Sequence, residues 1–403
     1  MKKNINLKNV IGSRYFSKSF FKKDKAKLNK IINSILYSLD SKQDIFHSFS
    51  KSFNFNFKYS ELKKFKKYKS IILIGMGGSS LGAEAIHSFC NNKIKKNFIF
   101  FNNLDQLQIE KLKKNIKFKK SLFIIISKSG NTLETLINSN LFKTKINKNN
   151  TIIVTEKKDN LLNIFAKNKK ILLIEHRKYI GGRYSVLSEV GMLPAYFMGL
   201  KVSRFRKNLL SFFRSEEKNL FLGSVVKLAH IYKLKKINSL IFLNYTTELN
   251  EFLYWCQQLM AESLGKGGRG ILPVISPAPR DHHSLMQLYL DGPKDKLFYI
   301  FSLKLNKKMK INHNMFGKNF GYVKNQDFSK VKEAQKNALI KVLKSKNIPY
   351  QEFVINKINE ETLGELFSYF IMETVLVGKL LHINPFDQPA VEQVKLLTKK
   401  YLS

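Results

Sequence analysis

A chain of 403 residues, 44% of them hydrophobic, has room for two domains and enough apolar side chains for a full core, which excludes global disorder. Lys and Arg number 71 against 29 Asp and Glu, a formal charge of +42, but the positive residues run from Lys2 to Lys400 and form no single arm. Lys, Asn, Ile and Phe are all specified by A/T-rich codons, so this charge reads as a lysine-coated surface that raises encounter rates with anionic substrates, with no specific nucleic acid as partner.

Residues 1–65 read as Lys-rich helices and loops, and the first residues lack the apolar stretch of a signal peptide. From about residue 70 the chain alternates strand and helix, with strands predicted at 71–74, 98–101, 122–126, 152–155 and 171–174. Such alternation predicts a parallel sheet covered on both faces. A helix over 186–200 closes this unit, and the charged stretch 201–218 marks a join. A second alternating unit follows, with strands at 239–243, 271–275, 297–301 and 350–355 and long helices near 248–262, 331–344 and 361–382. The tail restarts as a helix near Pro389, a residue suited to a first helical turn. No apolar run has the length of a membrane span, so no membrane partner is expected. The two cysteines, Cys90 and Cys256, have no metal-like spacing and suit a reducing, cytoplasmic setting.

Two of the predicted strands run into loops of unusual composition. The first reads Gly75-Met-Gly-Gly-Ser-Ser80 and the second Ser127-Lys-Ser-Gly-Asn-Thr132. Strands of a parallel sheet end on one edge, where the following helices point their N-termini. Free backbone N–H groups, the positive end of the helix dipole and Ser/Thr hydroxyls then face an anion. Two such loops predict one phosphorylated ligand held from two sides. A dinucleotide fingerprint fails at Ser80, where glycine is required, and no G-x-x-x-x-G-K-[ST] sequence is present. Gly181-Gly-Arg-Tyr-Ser185 places a permanently charged Arg183 after two glycines, which suits stabilisation of a developing oxyanion. Glu262 stands where a helix gives way to a glycine-rich loop, an end that the helix dipole makes unfavourable for a carboxylate, and it is a candidate general base. Asp281-His-His-Ser284 holds two of the eight histidines. Adjacent helical residues diverge by about 100°, so one His acting in proton transfer is favoured over a metal site.

Taken in order, these motifs resemble those of the glucose-6-phosphate isomerase family, in its shorter bacterial form. The resemblance covers about residues 70–396. It rests on the first Gly/Ser loop, Ser-Lys-Ser-Gly-Asn-Thr-Leu-Glu-Thr, Gly-Gly-Arg-Tyr-Ser, Glu-Ser-x-Gly-Lys, Asp-x-His-Ser and Pro-Phe-Asp-Gln-Pro-x-Val-Glu-x-x-Lys. It implies an α/β fold of two sugar-isomerase (SIS) domains, each a parallel sheet sandwiched between helices, with a C-terminal helical tail. The divisions read as an N-terminal helical segment 1–65, a first SIS domain 66–202, a second 203–383 and a tail 384–403. The resemblance also implies a homodimer with active sites near the subunit interface. Carried over, Ser79, Ser127, Ser129 and Thr132 hold the phosphate, with Gly78 and Lys128 contributing backbone. Arg183 stabilises the intermediate, Glu262 is the base, His283 the histidine and Lys395 the C-terminal lysine. The separation of Glu262 from His283, 21 positions, agrees with the shorter branch. Two departures stand out. Longer members carry a glutamate where this chain has Ser276, and the family's separate histidine before the last strand has no counterpart in Lys344-Ser-Lys-Asn-Ile-Pro349. His283 or His282 is then left to serve ring opening.

The reaction so implied moves one proton between C1 and C2 of a sugar phosphate through a cis-enediolate, and it requires no metal or organic cofactor. Two alternatives are an isomerase that also accepts mannose phosphate and a phosphosugar-sensing regulator. The Lys-rich segment 1–65 raises the second, but it shows no clear helix-turn-helix signature, and a sensor has no need of Arg183, Glu262 and Lys395 together.

Overall fold

Five short apolar runs between residues 70 and 175 pair side by side in a sheet. The computed structural model describes residues 3–115, 120–304, 309–312 and 317–403. An N-terminal strand, β1 (Ile5–Val10), precedes the five, which are β2 (Ser70–Ile74), β3 (Asn97–Phe101), β4 (Ser121–Ile126), β5 (Thr151–Thr155) and β6 (Leu172–Glu175). The five are all parallel, in the order β3-β2-β4-β5-β6. Alternate residues feed separate cores, as a pleated strand requires. Ile71, Leu73, Ile124 and Val154 face the interior shared with the second sheet, while Ile72, Ile74, Phe123 and Ile153 pack outward against Phe142 and Leu162.

The second sheet contains β7 (Ser239–Asn244), β8 (Leu272–Pro277), β9 (Lys296–Leu303) and β10 (Tyr350–Ile355), in the order β1-β10-β9-β7-β8. Its strands are parallel except β1, which runs antiparallel along β10. The predicted strands are all present, within two residues at each end. The first 65 residues differ from their reading as helices and loops, because Ile5–Val10 is an edge strand. Its alternation of half-buried and exposed residues, Ile5, Leu7 and Asn9 against Asn6, Lys8 and Val10, is the pattern of a strand with one covered face. The predicted 186–200 helix also divides. A tight turn over Gly182–Leu187 precedes a helix over Glu189–Phe197.

The helices that contribute to the core between the sheets include Leu81–Phe89, Glu189–Phe197, Asn250–Leu264 and Glu360–Leu381. The last is buried along nearly its whole length. Helix Asn250–Leu264 packs on Leu81–Phe89, on Glu360–Leu381 and on β8, so it ties one sheet to the other. Its Trp255 is buried with its ring 4.8 Å from Phe367 in an edge-to-face contact, an arrangement worth about 1 kcal/mol beyond area burial. The segment after residue 44 is fixed by Arg206, which donates to the carbonyls of Ser48 and Ser50 and lies 5.0 Å from the Phe53 ring.

Candidate active site

In the first sheet the chain moves from β2 outward to β3, then returns to the other side of β2 for β4. The crevice at the C-terminal ends of β2 and β4 is therefore a topological switch point, where ligands bind in open α/β sheets. The two Gly/Ser loops leave those strands. After β2, Gly77–Ser79 form one tight turn before helix Leu81–Phe89. After β4, Ser127, Ser129 and Thr132 cluster ahead of helix Leu133–Asn140. The Ser127 and Thr132 hydroxyls lie 2.8 Å apart, with Ser129 3.4–3.5 Å from each. Gly130 holds φ +71°, and a Cβ there would overlap the Asn160 side chain. The loop is thus set by its glycine and leaves three hydroxyls grouped at one spot.

The Lys128 side chain turns away from this group. Its Nζ donates to the Lys178 carbonyl at 2.8 Å and lies 3.7 Å from Glu156. Burial lowers its pKa, and Glu156 opposes that shift. Beside it, burial pushes His176 down to about 4, so the ring is neutral at pH 7. The His176 Nδ1 faces the Arg177 carbonyl and its buried Nε2 has no hydrogen-bond partner.

The Gly-Gly-Arg turn rests directly on the first loop. A Cβ on Gly78 would lie 2.3 Å from the carbonyl carbon of Gly182 and 2.5 Å from the Arg183 nitrogen. A Cβ on Gly77 would lie 2.7 Å from Nε2 of Gln258. Gln258 and Glu262 are four apart on helix Asn250–Leu264 and share a face. The Arg183 guanidinium, only 4% exposed, closes the group. It pairs with Glu262 at 3.1 Å and donates to Ser263 Oγ at 2.8 Å, Gln388 Oε1 at 2.9 Å and the carbonyls of Pro385 and Asp387 at 2.6 and 3.1 Å. Four hydrogen bonds and one ion pair thus surround its guanidinium. Tyr184 adds hydrogen bonds to Ser263 and to the Pro385 carbonyl, both at 2.8 Å. Residues 385–388 form a strap over Arg183. Its outer side is held by Lys266, which pairs with Asp387 at 2.6 Å and pulls that carboxyl below its usual range.

Gly78, Ser79, Ser127, Ser129 and Thr132 lie along one crevice, and Arg183 and Glu262 adjoin the first loop. Lys395 is not in this group. It stands on the C-terminal helix Ala390–Leu402 with its side chain 62% exposed and paired with Glu392 at 2.6 Å. His283 is also apart. Helix Asn250–Leu264 runs back from the C-terminal end of β7, and its Gln257 already reaches the carbonyl of Pro273, near the start of β8. Glu262 lies about 7 Å further along. His283 follows the other end of β8, so the two residues occupy opposite edges of the second sheet. His283 is exposed, whereas His282 meets the Tyr245 hydroxyl at 2.6 Å.

Sequence reasoning missed Gln258 and Gln388. The Gln258 Oε1 is buried without a partner, and Gln388 reaches Arg183 from the strap. The i,i+4 spacing of Gln258 to Glu262 was the available signal.

The family described as phosphoglucose isomerase matches residues 40–403. The glucose-6-phosphate isomerase of Methanocaldococcus jannaschii is 32% identical over 343 residues, covering 83% of this chain and 84% of that protein. Among solved structures, a hypothetical protein from Thermus thermophilus has a TM-score of 0.83 at 22% identity, covering 99% of this chain and 100% of that one. A glucose-6-phosphate isomerase from Chlamydia trachomatis has a TM-score of 0.78 at 16% identity, covering 99% and 88%. The structural matches share the fold, and the sequence matches go further: the chain belongs to the phosphoglucose isomerase family.

Proposed function

We propose that Glu262 is the base with which this isomerase moves a proton between C1 and C2 of its sugar phosphate. The chain interconverts glucose 6-phosphate and fructose 6-phosphate, the reaction of its family. The observation that supports the site assignment is the Arg183–Glu262 pair seated against the first Gly/Ser loop. The phosphate is held by Ser79, Ser127, Ser129 and Thr132, with backbone from Gly78 and Lys128. This remote binding energy orients C1 and C2 over the carboxylate. Glu262 removes the C2 proton of the open-chain aldose and returns it to C1, while the hydroxyl proton passes from O2 to O1. Arg183 supplies a fixed positive charge beside the enediolate oxygens. Hydrogen-bonded to the strap and ion-paired with Glu262, it also holds both in place. The unpartnered Oε1 of Gln258 is placed to accept a hydrogen bond from a sugar hydroxyl.

Ring opening needs a second acid/base group, assigned to His283 with Lys395. The separation of His283 from Glu262 within one chain favours a homodimer in which each His283 serves the other copy's site. The C-terminal helix supports this reading: Val391, Val394, Leu397 and Tyr401 recur at helical spacing and are all exposed. Among the described residues no helix is long and apolar enough to cross a membrane. The free, buried thiols of Cys90 and Cys256 suit a reducing cytoplasm.

Conversion of fructose 6-phosphate by the purified protein, coupled to a dehydrogenase without added metal, tests the reading. Turnover is expected on the glucose pair, with mannose 6-phosphate as the control. Tight sugar-phosphate binding without turnover would overturn the catalytic assignment and leave the phosphate loops standing.

A further inference from the structure

The turn that carries His283 is pinned from two sides. Asp281 is buried and accepts hydrogen bonds from Ser276 Oγ at 2.8 Å and Ser284 Oγ at 3.2 Å. On the other side, the His282 Nε2 meets the hydroxyl of Tyr245 at 2.6 Å, with the two rings edge to face at 5.6 Å. Tyr245 is the first residue after β7, is 2% exposed, and its ring lies in the core formed by Tyr289, Phe298 and Tyr350. Its backbone nitrogen donates to Phe301 on the neighbouring strand. The hydroxyl therefore has a fixed position at the end of the sheet. The His283 nitrogen donates to the Arg280 carbonyl, which completes the turn and leaves the His283 ring facing outward.

We infer that Tyr245 is a positioning residue for the isomerase reaction: through His282, it fixes the turn from which His283 is presented to the site of a second copy. The inference rests on the proposed role of His283 in ring opening. It gives the two adjacent histidines different tasks, His282 as an anchor and His283 as the group that meets substrate. It also gives a function to a buried hydroxyl that the fold alone does not require, since the Tyr245 ring already fills its place in the core. A reacting group displaced by about 1 Å loses on the order of 10²-fold in rate.

The experiment measures kcat and KM for glucose 6-phosphate with the full-length enzyme, together with its melting temperature. Tyr245→Phe removes only the hydroxyl and is expected to lower kcat about 10-fold with KM and melting temperature little changed. His282→Leu is expected to do the same, and His282→Gln, whose amide can meet the hydroxyl, to keep most of the activity. In a His283→Ala background, Tyr245→Phe is expected to have no further effect, because its action passes through His283. A further loss in that background equal to the loss in the wild-type background would overturn the inference, since it would mark a general structural role. An impaired His283→Ala beside an unimpaired Tyr245→Phe would overturn the inference alone. His283→Ala with wild-type turnover would overturn the role of His283 and this inference with it.

Discussion

Arg183 and Glu262 come from different halves of the chain and meet at 3.1 Å, the arginine buried and the glutamate partly open to solvent. The pair joins the Gly-Gly-Arg turn of the first sheet to the helix that leaves the second. The site therefore depends on the packing of one sheet against the other, and an arginine with four hydrogen bonds and an ion pair to Glu262 fixes that packing locally.

Arg183→Lys tests this role. Lysine keeps the charge but cannot reach Ser263, Gln388, Glu262 and two carbonyls at once. Loss of several buried, charge-assisted hydrogen bonds is expected to cost about 2–4 kcal/mol of stability. Turnover should fall at least ~10-fold, since the Glu262 carboxylate and the strap lose their common anchor. Thermal unfolding and steady-state kinetics of this variant check both.

Gly78→Ala should damage substrate binding more than folding elsewhere. The added carbon meets backbone of Gly182 and Arg183, at 2.3 and 2.5 Å, and neither can rotate away. The first loop must shift from the Gly-Gly-Arg turn, and the phosphate loses one side of its cradle. A rise in KM of about 10-fold or more is expected, roughly the worth of one or two hydrogen bonds to a charged group.

The two Gly/Ser loops were legible as strand-to-helix turns because their signal is local: strand, small residues and helix lie within about a dozen positions, and the parallel sheet follows from their repetition. β1 was not legible as a strand, because its partner β10 lies far along the chain and its six residues alternate within a Lys- and Asn-rich segment. Gln258 and Gln388 were missed for another reason. Glutamine carries no charge, and the i,i+4 spacing of Gln258 to Glu262 is too common on helices to select it; the burial of the Gln258 oxygen and the reach of Gln388 to Arg183 single them out. The separation of His283 from Glu262 was likewise invisible, since 21 positions along the chain say nothing about which sheet edge each residue occupies.

Acid stability should depend on His176. Its pKa lies at about 4 in the fold, against 6.5 as the ordinary value, because burial disfavours the charged ring. Between those values the unfolded chain binds a proton that the folded one does not. Stability is therefore complete above about pH 6.5 and is lost as the pH falls toward 4, by roughly 3 kcal/mol for this residue. Burial lowers His47 and His87 as well, so they act in the same direction. The decline in melting temperature between pH 7 and 4.5 should be shallower in His176→Phe than in the wild type.

The proposed shared-site dimer makes a prediction that one chain cannot satisfy. Glu262→Gln and His283→Ala should each be strongly impaired alone, with only residual turnover. Refolded together, half of the dimers are mixed, and each mixed dimer has one site with both residues intact. Recovery of about a quarter of wild-type activity is expected. No recovery, with mixed dimers shown to form, would place His283 and Glu262 of one chain in the same site or remove His283 from the reaction.

The most direct measurement is turnover of Glu262→Gln on fructose 6-phosphate, with sugar-phosphate affinity measured on the same preparation. Loss of the carboxylate should lower kcat by at least ~10²-fold and leave the affinity close to that of the wild type, since the loops proposed to hold the phosphate are untouched. Near-normal turnover would contradict the assignment of Glu262 as the base.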